Sequence, residues 1–278
     1  MSDAGAYGLT VAGLPAAAAW MQPPMNGAPR MDIRVEVGPT DDSPSRVDRD
    51  SADLHLVGGV RLRSHRGHET AVFRSSVRPP DTDLLHPYLG AAAALRWRWS
   101  GHEVLHAGAF VSAAGAVLVL GDKEAGKSTT LAWLASVQGV TIMSDDLAVL
   151  RENWVMAGPR ALDLRPGVGA RPGELEAAAA DGEWVRHRQR LRLHLGPAPA
   201  ELPVAGLVRL EWGPSVEVVA VPFSERLSLL GAQRSFPGLD TDPVAVLDLG
   251  TVPMVRLRRP RTLSCMPAVG RLLDQVFT

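Results

Sequence analysis

The chain has a single cysteine, Cys265, among 278 residues. No intramolecular disulfide and no cysteine-based metal cluster can therefore be built, and the composition suits a reducing cytoplasm. It also lacks an excess of either charge, with 29 basic and 30 acidic side chains. That balance removes the electrostatic case for nucleic acid or an anionic membrane as the main partner. No apolar run is long enough to span a bilayer: the longest, from Ala107 to Leu120, is interrupted by Gly108 and Gly115. The opening Met1-Ser2-Asp3-Ala4-Gly5 lacks the basic region of a signal peptide, and no repeat of about 20–50 residues is present. Lysine is scarce, whereas alanine, arginine, glycine and proline are abundant, as in proteins from high-GC genomes. What the chain does have is a hydrophobic content of 46%, enough for a sizeable core in one large domain or in a medium domain with a small one.

Two regions are expected. Residues 1–95 read as a small N-terminal α+β domain, mostly β. Tyr7–Ala12 and Met31–Val37 have strand character, the latter alternating Ile33, Val35 and Val37 against Asp32, Arg34 and Glu36. Val60–Arg63 and Ala71–Arg74 are weaker strands, Thr40–Asp53 reads as an exposed polar loop, and Tyr88–Leu95 suits a helix. Residues 96–278 form the second region. Leu95, Trp97 and Trp99 alternate with Arg96 and Arg98 as in a half-buried strand, and Val104–Val111 reads as one strand. Strands are expected at Val140–Ser144 and Leu147–Leu150, as a pair within Trp154–Leu164, and at Arg190–Leu195, Ala205–Trp212, Val216–Val221 and Pro253–Leu257. Pro166–Trp184, rich in Gly, Pro and Ala, suggests mobility. Ser224–Leu230 suits a short helix capped by Ser224, and Leu263–Phe277 an amphipathic terminal helix.

The chemistry concentrates in Gly121-Asp122-Lys123-Glu124-Ala125-Gly126-Lys127-Ser128, which fits G-x-x-x-x-G-K-[ST]. An apolar strand, Ala116–Leu120, precedes it, and Thr129–Ala135 follows with helical spacing. Strand, glycine loop and helix is the order phosphate binding needs, because loop N–H groups and the helix N-terminus favour anions. In that frame Lys127 reaches the β- and γ-phosphates and the Ser128 hydroxyl helps hold Mg2+. The competing explanation is a chance match in a Gly-rich chain.

Asp145-Asp146 closes an apolar strand after this loop. One carboxylate can hold the metal while the other accepts a hydroxyl proton. Adjacent residues on an extended segment point to opposite sides, so both reach one site only if the backbone bends. A plain Ser-Asp-Asp turn is the alternative. His106 precedes the strand that feeds the loop and could orient an acceptor or tune the aspartates; a core histidine in an apolar strand is the simpler reading. Among many arginines, Arg160 and Arg165 follow the aspartate strand and are the best candidates for phosphate contacts.

Taken together, Leu105-His106-Ala107, the loop with its Gly-Asp-x-x-x-Gly-Lys-Ser-Thr and the following Ser-Asp-Asp resemble the catalytic core of HPr kinase/phosphorylase. The chain is similar in particular to the shorter HPr-kinase-like serine kinases of bacterial natural-product clusters, including those that phosphorylate lasso-peptide precursors. The likeness is best over residues 100–165, with weaker similarity at Ala205–Leu210 and Val255–Pro260 and at the opening Tyr7–Val11. The resemblance implies an α/β fold with a mixed sheet around a phosphate-loop core, related to phosphoenolpyruvate carboxykinase. It also implies ATP and Mg2+ as cofactors, Lys127 and Ser128 at the phosphates and metal, Asp145 and Asp146 as metal ligand and base, and His106 beside them. Three positions depart from the family pattern. Lys123 and Glu124 stand where a serine and a glycine are common, and Thr129 stands where a glutamate near the metal is common.

The sequence thus points to an ATP-dependent phosphotransferase acting on a hydroxyl, foremost a peptide serine. A nucleotide-binding partner protein with little kinase activity and a small-metabolite kinase are the alternatives. Assembly with further copies of the chain is compatible with the sequence, which does not fix an oligomeric state.

Overall fold

The computed structural model describes residues 3–165, 175, 190–240 and 242–277, and Glu183–His187 by its backbone alone. The first sheet takes its seven strands from the N-terminal region: β1 (Ala4–Ala6), β2 (Leu9–Ala12), β3 (Arg30–Val37), β4 (Arg46–Val47), β5 (Ser51–Leu56), β6 (Val60–His65) and β7 (Thr70–Ser75). Their order is β1-β2-β3-β7-β6-β5-β4, with β3 parallel to both β2 and β7 and the other pairs antiparallel. Ordering extends further than expected over Thr40–Asp53. Asp53 sits on a paired strand because Arg61 and Arg63 on β6 neutralise it.

The helix Leu89–Trp99 replaces the strand expected from the alternation of Leu95, Trp97 and Trp99, and it runs through residue 95, where the boundary between regions was expected. Almost every side of it is covered: Leu89, Ala92–Leu95, Trp97, Arg98 and Trp99 are all buried, so no 3.6-residue apolar stripe survives in the sequence. Arg98 tolerates burial by donating to Glu103 at 2.6 Å and to the carbonyls of Leu239 and Asp240. Below this helix the N-terminal core continues into Leu147, Val149 and Met156 of the second region.

The second sheet delivers the glycine loop. It contains β8 (Glu103–Leu105), β9 (Gly108–Ser112), β10 (Gly115–Leu120), β11 (Ile142–Ser144), β12 (Ala148–Arg151), β13 (Trp154–Met156), β17 (Glu201–Trp212), β18 (Glu217–Ala220) and β19 (Met254–Arg259). β10 is buried along all six residues, between antiparallel β9 and parallel β17, which explains its unbroken apolar sequence. The single strand expected over Val104–Val111 is two. A tight turn, Ala107 N–H to the Leu105 carbonyl at 2.9 Å, breaks it at His106-Ala107; β8 then pairs with β12, and β9 with β10 and β11.

A third, antiparallel sheet, β14 (Ala161–Leu164), β16 (Arg190–His194) and β15 (Glu183–His187), shares a hydrophobic core with the helix after the glycine loop. Pro166–Trp184 falls largely outside the described residues. The helix Phe223–Ala232 starts after Pro222, with no side-chain cap from Ser224. A further helix, Pro243–Thr251, is capped by the Asp242 carboxylate accepting from the Val244 N–H. The terminal segment comprises a short 3-10 turn, Leu263–Cys265, and the helix Met266–Val276. Among the described residues no helix is long and apolar enough to cross a membrane.

Candidate active site

The C-terminal end of β10 delivers the glycine loop, and the helix Lys127–Gln138 leaves it. Gly126 has φ +85°, and a Cβ there would lie 2.4 Å from the Arg259 guanidinium, so only glycine fits. Arg259 is buried behind the loop, donating to Thr130 Oγ1 at 2.9 Å and to the Gly126 carbonyl at 3.2 Å, with its guanidinium 4.4 Å from the centre of the Trp212 ring. Burial pushes its pKa down to about 10, still leaving it a cation near neutrality. Arg209 fixes the front of the loop through Asp122 at 2.7 Å. Gln233, with its amide oriented to satisfy its neighbours, donates to the carbonyls of His106 and Gly121 and accepts from Arg209.

Lys127 is buried, and its Nζ donates to the Gly121 carbonyl at 2.7 Å. Burial pushes its pKa below the usual lysine value, with the neighbouring Asp146 and Asp145 charges opposing. Lys123 and Lys127 are the only lysines in the chain, beside 27 arginines. In a sequence that uses arginine almost everywhere else, a compact ammonium is retained in this loop, where a point charge suits phosphate oxygens.

Ser128 Oγ donates to Asp145 Oδ1 at 3.0 Å, which joins the glycine loop to the aspartate pair. The bend that the pair needs is present: Asp146 has φ +63°, a left-handed conformation that non-glycine residues adopt at a cost of about 1–3 kcal/mol. Asp145 stays buried against Ser128 while Asp146 turns into the cavity. Burial, then the charge of Asp146, raises the Asp145 pKa well above the carboxylate range. Asp145 Oδ2 is buried without a hydrogen-bond partner among the described residues. An orphaned carboxylate oxygen beside a loop hydroxyl is a donor set that fits a divalent cation.

The cavity, about 220 Å³, is lined by His106, the loop residues Asp122–Thr129, Asp146, Asp163, Leu164, Arg165 and Arg190. The break between β8 and β9 places His106 on this wall. Loss of water, then the Lys127 charge, lowers the His106 pKa, and the Asp146 carboxylate and backbone oppose the shift. The imidazole is therefore neutral near pH 7. Arg165 stands at the cavity, but Arg160 does not. Arg160 is buried and donates to the carbonyls of Ile142, Met143, Gly158 and Gly196, so it braces the aspartate strand.

Glu124 has φ +68°, the backbone region in which glycine carries no steric penalty, and its side chain is exposed. Its carbonyl accepts from Trp212 Nε1 at 3.2 Å.

Three residues beside the aspartates have no signal in the linear pattern. His86 and Tyr7 come from the N-terminal region, and Asp163 from β14. His86 Nε2 lies 3.8 Å from Asp146 Oδ2 and 3.9 Å from Asp163 Oδ2. Asp163 faces Arg192 across the β14–β16 pair, at 2.6 Å and 2.8 Å. Burial raises the Asp163 pKa, but the Arg192 hydrogen bonds and the charges around it prevail and hold it below the usual value. Burial, then the Asp146 and Asp145 charges, pushes the Tyr7 phenol well above its ordinary pKa, so it stays protonated.

No protein-family model and no curated protein matches the chain. Among solved structures it is similar to the Hpr(Ser) kinase/phosphatase from Coxiella burnetii, with 12% identity and a TM-score of 0.32, over 62% of this chain and 89% of that one. With so distant a likeness, the chemistry of the site rests on this chain's own residues.

Proposed function

We propose that the chain transfers the γ-phosphoryl group of ATP to a hydroxyl, the acceptor being a serine of a precursor peptide in natural-product biosynthesis. The observation that carries this reading is the convergence on one cavity of the glycine loop, Lys127, the Ser128–Asp145 contact, Asp146 and His106. Loop N–H groups and the start of the Lys127–Gln138 helix suit the β-phosphate, and Lys127 suits the β- and γ-oxygens. Arg165 and Arg190 add positive charge on the opposite wall. Ser128 and Asp145 are the residues that would hold Mg2+, which supplies charge neutralisation at the β- and γ-phosphates when bound.

Asp146, turned into the cavity, is the base. The acceptor's proton passes to its carboxylate as the acceptor oxygen closes on the γ-phosphorus. The bond from that phosphorus to the β–γ bridging oxygen breaks, and ADP leaves. His106 donates a ring N–H to the acceptor oxygen and orients it, and Lys127 offsets negative charge on the transferring group.

The test is transfer of label from γ-labelled ATP to serine-containing peptides, chosen from precursor-peptide genes adjacent to the chain's own. The wild-type chain is expected to label serine. Asp146→Asn is expected to reduce the rate by at least about 10²-fold, in the range of general-base loss, while nucleotide binding persists. Equal rates in the two proteins contradict the assignment of the base.

The exposed carboxylate and left-handed backbone of Glu124, inside the phosphate loop, favour a second reading, a nucleotide-binding partner with little turnover. Saturable ATP binding with no labelled acceptor selects that reading.

A further inference from the structure

We infer that His86 joins Asp145 and one oxygen of Asp146, whose other oxygen is left for the acceptor's proton, as the third ligand of a divalent-cation site that prefers a first-row transition dication to Mg2+. One ligand atom from each of these three side chains can be chosen so that all lie within 4.8 Å of one another. Ligands at about 2.0–2.2 Å from one ion stand roughly 3–4 Å apart, so modest closure around an ion completes the site. Two of the atoms have no other use among the described residues: His86 Nε2 and Asp145 Oδ2 are both buried without a hydrogen-bond partner there. The His86 side chain is only 4% exposed, and its Nε2 is directed at the carboxylates of Asp146 and Asp163.

Charge supports the same assignment. Arg192 already neutralises Asp163 through two hydrogen bonds. Two carboxyl groups and an imidazole then remain, a donor set that a dication balances once the carboxyl groups release their protons to it. Mg2+ favours oxygen ligands and retains water, whereas an imidazole nitrogen shifts preference toward manganese and the later metals.

The consequence reaches beyond the cavity. His86 lies on the segment Leu84–Tyr88, just before the helix Leu89–Trp99, whereas Asp145 and Asp146 follow β11. A shared ion ties the N-terminal region to the loop that Ser128 links to Asp145. The inference concerns the proposed phosphoryl-transfer site, but it needs no nucleotide.

The test is titration of the metal-free full chain with Mn2+ in the absence of ATP, followed by calorimetry and electron paramagnetic resonance. Wild type is expected to bind one Mn2+ per chain and to retain it against excess Mg2+. His86→Ala is expected to weaken Mn2+ at least about tenfold, the scale of losses at metal sites, and to leave Mg2+ affinity unchanged. Spin-echo spectra of the Mn2+-loaded wild type are expected to show imidazole-nitrogen modulation that persists in His106→Ala. This readout decides the matter even if His86→Ala does not fold. The inference is overturned if wild type binds no Mn2+, if no nitrogen modulation appears, if that modulation disappears in His106→Ala, or if folded His86→Ala binds Mn2+ as wild type does. A chain that binds Mn2+ through His86 yet transfers no phosphoryl group would contradict the phosphotransferase reading and leave the metal site standing; the reverse outcome would separate them equally.

Discussion

Glu124 and Asp146 are both non-glycine residues in the left-handed region, at φ +68° and +63°, and both line one cavity. Their consequences differ. At Asp146 the strained backbone turns a carboxylate into the cavity, so replacing it with glycine relieves strain and removes the proposed base. At Glu124 the exposed carboxylate stands in a loop that is to receive phosphates, and no hydrogen bond or ion pair of its side chain offsets the strain among those described. Glu124→Gly is therefore expected to raise the unfolding free energy by about 1 kcal/mol, the left-handed penalty reduced by the greater freedom of glycine in the unfolded chain. It should also strengthen ATP binding. Chemical denaturation and calorimetric titration of the variant check both. Weaker ATP binding by a stable Glu124→Gly protein would mean that the carboxylate has a positive role at the loop.

Among the elements, the short sheet over the loop helix holds the acidic cluster in place. Arg192 on β16 donates to Asp163 on β14 and also to the carbonyls of Thr82 at 3.0 Å and His86 at 3.1 Å. The pair is almost fully buried, with both side chains 2% exposed. Arg192→Met leaves the Asp163 carboxylate buried without its cation and should cost about 3–5 kcal/mol. The pH dependence has a definite sign. Because the folded pKa of Asp163 is depressed, its stabilisation is present above the ordinary carboxylate pKa and is lost as pH falls through the folded value. Removing Arg192 should therefore shift the acid-unfolding midpoint to higher pH. Urea melts of wild type and Arg192→Met across the acid range measure this; superimposable curves would contradict it.

The same scale shows why the sequence disclosed some elements and concealed others. β10, the glycine loop and the helix Lys127–Gln138 were legible because each has a local signature: an apolar run, glycines at fixed spacing, and helical periodicity closed by Gly139. Asp145-Asp146 was legible by its position at a strand end. Leu89–Trp99 read as a strand beyond residue 95 because burial on nearly all sides erased its stripe, and because Arg98 is satisfied by Glu103 and by distant carbonyls. Pro243–Thr251 carries a start signal, Asp242 followed by Pro243, with the Asp242 carboxylate accepting from the Val244 N–H. His86 had no such signal. Its neighbours Leu85 and Pro87 suggest only a turn, and its partners lie about sixty and more residues away in sequence. The position of Arg160 after the aspartates suggests a phosphate contact, but the carbonyls of Ile142 and Met143 at the same strand end capture it.

For the molecule as a whole, the N-terminal sheet and the second sheet share packing and a polar junction. The N-terminal core reaches Leu147, Val149, Met156 and Leu239. Tyr7 is held through the Ala157 carbonyl at 2.6 Å and through Trp97 Nε1 at 2.7 Å. His86 carries the N-terminal region into the aspartate cluster. The fold therefore presents the glycine loop from one side of the cavity and residues of the third sheet from the other, with His86 behind the aspartates. Every functional step assigned to this arrangement depends on a triphosphate occupying the loop beside Lys127.

Calorimetric titration of the full chain with ATP and a divalent cation, for wild type and Lys127→Ala, tests that claim most directly. The account predicts saturable one-site binding by wild type, and binding at least about tenfold weaker in the folded Lys127→Ala protein, as expected for loss of a charge-assisted contact worth roughly 1.5–3 kcal/mol. No binding by wild type at millimolar ATP, or equal affinity in the two proteins, would contradict it.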